Sequence, residues 1–415
     1  MSQIKLTADS GGGSVSLKAP ATTTGNAALE ITVPDVATGS SVVTADSSGN
    51  VTASGTLTAS NFSNRNIVIN GACNVAQRGA TSTADGIHTV DRMMMAYGGE
   101  NETPTQAQIT LTSSDTGPWA KGFRNAFQIT NGNQTGGAGV TDYLTWEMAL
   151  EAQDIANSGW DYTSASSKIT LSFWVKSSVA QDFKGYLKTE DGTEKAYPFA
   201  TGSLSANTWT KITKTIPGEA GLTFNNDNGK GLVITINPML GTDKTASSAT
   251  ENTWQAWSGS ARHQDVTTTF WTTNDATFAI TGIQLEVGDV ATEFEHRSYV
   301  DELTRCQRYY HTTAQAGTEA YQRHGLGFSP NTSRCDTVYW LHPPMRTTPS
   351  GSSSGNFKMD GHTTRTVTSI TYQHPTNRSV TVIFNDSGSG MNADTNWLCR
   401  SDNDATARIN FDAEL

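Results

Sequence analysis

The sequence predicts a mainly β chain, and three observations carry that prediction. Apolar side chains recur at every second position in window after window, the mark of strands with one buried face. The windows are separated by turn residues: there are 38 Gly, abundant Thr, Ser and Asn, and only 16% charged residues. Few windows hold a helical period for more than two turns. At 415 residues the chain has room for about two or three domains. Its punctuation divides it into an N-terminal extended oligomeric β segment (1–64), an antiparallel jelly-roll sandwich (65–298), a short linker helix (299–312) and a small C-terminal β-sandwich (313–415).

Residues 1–64 hold short β-like pieces, among them Ile4 to Leu6, Val15 to Leu17, Leu29 to Val33, Val42 with Val43, and Val51 to Thr58. Turns such as DSGGG (9–13) and DSSGN (46–50) separate them. Each piece offers two or three apolar side chains, and the segment contains no Trp or Tyr. A lone copy could hardly bury enough surface to offset its chain entropy. One reading is disorder; the other, favoured because β-branched residues alternate in the pieces, is a shaft or attachment segment that completes its core against copies of itself.

In the next stretch alternation is strict. Phe123, Phe127 and Ile129 fall on one face, and so do Leu144, Trp146, Met148 and Leu150; Ile169, Leu171, Phe173 and Val175; and Leu232, Ile234 and Ile236. Many such strands without intervening helices argue for a jelly-roll sandwich. In the closing strand the apolar set passes from even numbers (Phe278, Ile280) to odd ones (Ile283, Leu285, Val287). One extra residue at Gly282, a β-bulge, would return those side chains to the core.

After Ser298 the period changes. Val300, Leu303, Cys306 and Tyr310 approximate a helical stripe, and Ser298 with Asp301 resembles a capping box. A helix of about three turns is too short to stand alone and is expected to pack on a neighbour. Alternation then resumes at Val338 and Trp340, at Ile370 and Tyr372, through Val380, Val382 and Phe384, and from Ala407 through Ile409, Phe411 and Ala413 to Leu415. The last of these predicts a strand running to the final residue and a buried C-terminus.

NIVINGACNVAQRG (66–79), HTVDRM (88–93), KITLSFWVKSS (168–178), NTWTKITKTIPG (207–218) and FAITGIQLEVGDVATEFEHRSY (278–299) together resemble a recurring phage tail-fibre domain. That domain is similar to jelly rolls of the carbohydrate-binding-module type. ATGSSVVTADSSGNVTASGTLTASNF (37–62) resembles the segment that precedes the distal domains of phage fibres, and HPPMRTTPSGSSSGNF (342–357) and INFDAEL (409–415) resemble their distal ends. The resemblance implies a virion fibre or receptor-binding protein: a homotrimer whose N-terminal segment meets other virion proteins and whose tip contacts the host. It implies a host surface glycan as partner. The family members share no one ligand, so the matched strands transfer a fold rather than a site.

The resemblance directs attention to tryptophans in polar text: Trp119, Trp160, Trp254, Trp257 and Trp271. An indole face stacks on a sugar ring while neighbouring polar groups bond its hydroxyls. Trp254 and Trp257, three apart in a polar loop, are the preferred pair, with Arg262, His263 and Gln264 as companions. The competing reading for each tryptophan is a place in the core.

Other constellations point away from catalysis, and the expectation is a protein that is not an enzyme. GSSSG at 351–355 has the spacing of a hydrolase nucleophile but no strand-turn-helix text around it. Glu293 and Glu295 flank Phe294 with Arg297 nearby, which reads as a salt-bridged turn before it reads as a glycosidase pair. The eight histidines show no ligand spacing. NNDNG (225–229) and DND (402–404) are oxygen-rich turns. A structural Ca²⁺ is the one cofactor they leave open, with no motif to support it.

A net charge of −11 excludes nucleic acid as a partner, because phosphate binding needs a basic surface. No apolar run reaches a membrane span or forms a signal region, so no membrane insertion is expected, and folding in the host cytoplasm is. Cys73, Cys306, Cys335 and Cys399 are expected to be reduced, with Cys306 to Cys335 or Cys399 as the alternative pairing. The alternatives to a host-attachment fibre are a capsid head fibre or purely structural virion protein, and a polysaccharide-degrading tail enzyme.

Overall fold

The computed structural model describes residues 3–7, 14–18, 64–313 and 319–415. The chain divides into two compact units, Met1–Ala59 and Ser60–Leu415. In the first, strands Gln3–Thr7 and Ser14–Lys18 pair antiparallel, with Ile4 opposite Leu17 and Leu6 opposite Val15. The two earliest β-like pieces therefore pair with each other. The remaining pieces of the expected shaft lie outside the described residues.

The second unit is mainly β. Two six-stranded antiparallel sheets form a jelly-roll sandwich. The first runs in the order Gln255–Ala256, Lys195–Ser203, Asp182–Thr189, Lys230–Leu240, Tyr143–Glu151, Met94–Gly98. The second runs Thr210–Pro217, Lys168–Ser177, Thr277–Val287, Asn125–Thr130, Thr105–Thr110, Thr81–Ser82. The chain switches repeatedly between the two, which is how a jelly roll closes its core. Trp146, Phe173, Phe183, Phe199 and Phe278 meet between the sheets, each at most 1% exposed. Burying a side chain of this size stabilises the fold by about 1.5–3 kcal/mol.

The bulge falls where the alternation breaks. Thr281 pairs with Trp174 and Gln284 with Ser172, so Gly282 and Ile283 face a single residue. Phe278, Ile280, Ile283 and Leu285 all reach the core. Gly282 has φ +65°, and a Cβ there would stand 2.7 Å from the Phe123 ring. Phe123 itself departs from expectation. Its strand begins only at Asn125, so Phe123 joins a second, smaller cluster and packs edge-on to Phe294 at 4.8 Å.

Helix Tyr299–Gln307 starts at Ser298, whose hydroxyl accepts the Asp301 amide at 3.2 Å. Of the expected stripe, Cys306 is buried, Leu303 is half-buried, and Tyr310 is buried but lies on the strand that follows; Val300 departs at 68% exposed, and the helix buries Glu302 beside Cys306. A polar contact decides the matter: the Glu302 carboxylate accepts the Asn70 amide and lies 3.6 Å from Arg297.

Beyond the helix, Tyr310–Thr312, Arg408–Asp412 and Ser350–Ser354 form a three-stranded sheet. It packs on one face of a seven-stranded sheet in the order Thr364–Thr366, Phe357–Asp360, Thr395–Ser401, Arg323–Ser329, Arg334–Trp340, Ser379–Asn385, Ser369–Gln373. Phe357, Phe384, Trp397 and Phe411 fill the space between them. The last strand stops at Asp412, three residues before the end, because the chain turns to ion-pairing. Arg92 binds the Glu414 carboxylate and stacks on Tyr309 at 3.6 Å. Arg78 reaches Asp412 at 3.1 Å and Glu414 at 3.3 Å. Arg308 and the Tyr309 hydroxyl hold Glu151 at 2.7 and 2.6 Å. Burial opposes ionisation of Glu151, but these donors outweigh it and keep the carboxyl below its usual range.

All four cysteines are buried free thiols. The close pair is Cys335 and Cys399, with sulfurs 3.8 Å apart across Gly327. The alternative pairing through Cys306 is not formed.

Candidate functional site

Strand parity places the site. In Asp182–Thr189, Phe183 and Leu187 enter the core, so Lys184, Tyr186 and Lys188 emerge on the outer face of the first sheet. Tyr186 lies opposite Thr235, and Thr235 opposite Glu147 on the following strand, so the three sit side by side. The segment 241–268 folds over part of this face and brings the predicted residues to it.

Those five residues separate into two groups. Trp254 is a core residue, 8% exposed; its indole N–H donates to the Pro217 carbonyl at 2.7 Å and its ring meets Tyr197 at 5.4 Å. His263 is fully buried, with ring nitrogens 2.7 Å from the Gln264 carbonyl and 3.1 Å from Asn237 Oδ1. Burial depresses its pKa to about 4, so the ring is neutral at physiological pH. Gln264 donates to the Ala249 carbonyl at 3.2 Å and ties down the segment. These three are structural, because an indole or imidazole under a covering loop finds its partners in the backbone. Trp257 and Arg262 remain half-exposed, as does Gln264, whose side chain is taken up by the Ala249 carbonyl.

Trp257 rests against Tyr186 at 5.2 Å, with Lys188 Nζ 4.9 Å and Arg262 Cζ 5.6 Å from its ring. Cations near an indole face hold it in place and leave polar donors beside it. Lys188 also bonds Glu194 at 2.8 Å and Glu190 at 3.0 Å. Burial works against the lysine charge, but the two carboxylates raise its pKa above the ordinary value. Glu147 lies 3.9 Å from Lys230, and burial raises its pKa. Tyr186, Lys188 and Glu147 escaped the sequence reading. The outward parity of Lys184, Tyr186 and Lys188 was the available signal. The result is an aromatic platform rimmed by donors and acceptors, suited to a hydroxylated ring.

The remaining tryptophans divide similarly. Trp160 and Trp271 are buried, whereas Trp119 is half-exposed under Arg124 at 3.7 Å. Glu293 pairs with Lys121 at 3.1 Å, while Glu295 accepts the Asn66 amide at 2.8 Å and meets Arg297 at 3.2 Å. The two carboxylates thus serve separate turn contacts. GSSSG lies on the strand Ser350–Ser354 and its exit, not on an elbow. In the NNDNG turn the Asp227 carboxylate accepts the Gly229 amide at 2.9 Å, and Asp404 accepts the Thr406 and Asn356 amides at 2.8 and 2.9 Å. A concavity of about 440 Å³ lies elsewhere, where Arg65, Gln153, Asp154, Asn157 and Arg305 are among the residues that line it, without an aromatic ring. A sugar platform is better matched by the Trp257 face, despite its shallowness.

No protein-family model and no curated protein matches the chain. Among solved structures it is similar to the tailspike protein 4 enzymatically active domain of bacteriophage CBA120, at 11% identity over 54% of this chain and 21% of that one, TM-score 0.29. It therefore spans about a fifth of that chain (21%). It is similar to the CBM22-1 xylan-binding domain from Paenibacillus barcinonensis Xyn10C, at 11% identity over 48% of this chain and 87% of that one, TM-score 0.24. It is also similar to a family 11 carbohydrate-binding module from Clostridium thermocellum, in complex with a β-1,3-1,4-mixed-linked tetrasaccharide, at 13% identity over 51% and 98% of the two chains, TM-score 0.24. The fold assignment rests on the sheets and their register.

Proposed function

We infer that this chain is a phage virion fibre protein that mediates host attachment by binding a cell-surface glycan. The observation that carries the reading is Trp257, half-exposed on Tyr186 and flanked by Lys188 and Arg262 on the outer face of a jelly-roll sheet. The tail-fibre resemblance of the strand text supports the virion setting, with the N-terminal segment meeting other virion proteins and three copies per fibre. A shallow single-platform site binds weakly, and repetition over three copies supplies avidity. The protein acts in the virion after assembly in the host cytoplasm, and it binds rather than cleaves.

Labelled protein is expected to stain host cells and to mark a defined set of sugars on a glycan array. Trp257→Ala should weaken that binding about tenfold or more, a loss of about 1.4 kcal/mol. Undiminished binding by a folded Trp257→Ala protein would remove the platform from the mechanism. A fibre that marks no glycan and no host cell would be a head fibre or a structural virion protein. Release of oligosaccharide from host envelope would instead make it a tail enzyme.

A further inference from the structure

We propose that copies of this chain associate through the outer face of the seven-stranded sheet in the C-terminal region. This rests on the homotrimer in the reading above and names the surface that forms it. Four large apolar side chains stand out on that face: Leu326 (66% exposed), Phe328 (47%), Val338 (53%) and Trp340 (68%). They lie on neighbouring strands, Arg323–Ser329 and Arg334–Trp340, where Phe328 is opposite Asp336. That register sets Leu326 beside Val338. Their parity is outward because Gly327, between Leu326 and Phe328, and the alternate residues Cys335 and Thr337 of the neighbouring strand are buried on the opposite face.

Two arguments select a second copy as the occupant. The first is area. With these exposures the four side chains and half-exposed Tyr321 (50%) offer roughly 400–500 Å² of apolar surface, the size of the largest patch on an ordinary monomer. A standard interface takes about 800 Å² from each partner, of which about 57% (on the order of 450 Å²) is apolar. The patch supplies the apolar share of one such interface. The second is charge. The face carries Arg323, Arg334, Lys358 and Arg400 against Asp336, Asp360 and Asp402, four cations and three anions, hence +1 in a chain of −11. The remainder of the chain is therefore −12 and repels its own kind. On the face three of the four cations are already matched: Arg334 with Asp336 at 3.1 Å, Lys358 with Asp402 at 3.0 Å, and Arg400 with Asp360.

A glycan is the weaker occupant: Phe328 and Trp340 offer rings to stack on, but Leu326 and Val338 offer a sugar neither a ring nor a hydrogen bond, and the neighbouring Arg334, Lys358 and Arg400 are paired with carboxylates of the same face. In a closed threefold assembly, three such faces turned to the axis each meet the other two, and no apolar surface is left over.

The test places a photocrosslinking amino acid at position 340 of the full chain. Crosslinks between copies are expected, together with a trimeric mass in solution. A second variant, Leu326→Asp, should raise the dissociation constant of the assembly at least tenfold, lower the avidity of array binding with it, and leave the affinity of a single site for a free oligosaccharide unchanged. Trimeric mass without inter-copy crosslinks would overturn the assignment of this face and leave the homotrimer standing. A monomeric mass at micromolar concentration would overturn both. Crosslinks to host envelope material in place of a second copy would make the face a receptor surface and also overturn the proposal. The Trp257 platform is tested apart from these outcomes by the affinity of a single site for a free oligosaccharide, which does not depend on the number of copies.

Discussion

The jelly roll and the C-terminal β region treat the backs of their sheets in opposite ways. In the jelly roll both outer faces are roofed. The segment 241–268 covers Thr235 and Asn237 and tucks its own His263 against Asn237, all three 0% exposed, and on the second sheet Leu111, Phe123 and Trp209 form a small cluster of their own. In the C-terminal region the seven-stranded sheet packs one face on three strands and leaves Leu326, Val338 and Trp340 in solvent. The roofed face buries polar groups, and the bare face exposes apolar ones. A sheet face that is apolar and bare is waiting for a partner outside the chain. A face that is polar and roofed has already found its partner within it, and can present a single ring at the roof's edge for a small ligand.

The largest effects test whether the two regions stand as one body. Phe278→Ala in the sandwich and Phe384→Ala in the C-terminal region should each cost about 3–5 kcal/mol, since both rings are fully buried. Urea unfolding should show one transition that both variants shift. Two separable transitions, each sensitive to one variant only, would break the single unit into two. Arg92→Ala attacks the seam directly. It leaves Glu414 facing a buried site without its closest cation, at a cost of about 3 kcal/mol or more. The same melt should reveal whether the regions then part.

Acid should weaken both regions over one window. His263 in the sandwich and His324 in the C-terminal sheet each have a pKa lowered to about 4 by burial. A depressed folded pKa means that the unfolded chain takes up the proton more readily. The contribution is therefore fully present above about pH 6.5 and is lost as the pH falls towards about 4. Each group accounts for about 3 kcal/mol at most. His263→Gln and His324→Gln should each flatten the profile of melting temperature against pH by a comparable share. A variant whose profile matches the wild type would place its histidine's proton uptake elsewhere.

What the sequence made legible follows from the same contrast. Period-two rows such as Leu144, Trp146, Met148 and Leu150 identified inward faces, because a core tolerates no polar side chain without a partner. The parity switch at Gly282 and the cap at Ser298 were legible too, being local. Coverage was not legible. Nothing in ENTWQAWSGSARHQ tells which indole a roof will bury, and Trp254 went in while Trp257 stayed at the edge. Nor could the apolar text of Val338 and Trp340 announce that its face looks outward, since alternation marks a face without saying whether it is wet. The helix stripe failed at its first residue, Val300, for a related reason: a buried carboxylate, Glu302, was held by a backbone amide 232 positions away in sequence.

The smallest effects sharpen the contrast most. Trp257→Ala removes a half-buried ring from the Tyr186 contact and should cost about 1 kcal/mol of stability, the scale of an aromatic pair with its share of burial. Leu326→Thr removes an exposed side chain that touches nothing the fold depends on, and should leave the unfolding midpoint of a dilute, dissociated chain within about 0.5 kcal/mol of wild type. At concentrations where copies associate, the same change should lower the melting temperature, because a partner that binds only the folded state adds to its stability by mass action. The midpoint of wild type should then rise with protein concentration and that of Leu326→Thr should rise less. Equal concentration dependence in the two proteins would mean that the bare face is bare in the assembly as well. The contrast between a roofed and an open sheet would then lie in solubility rather than in partnership.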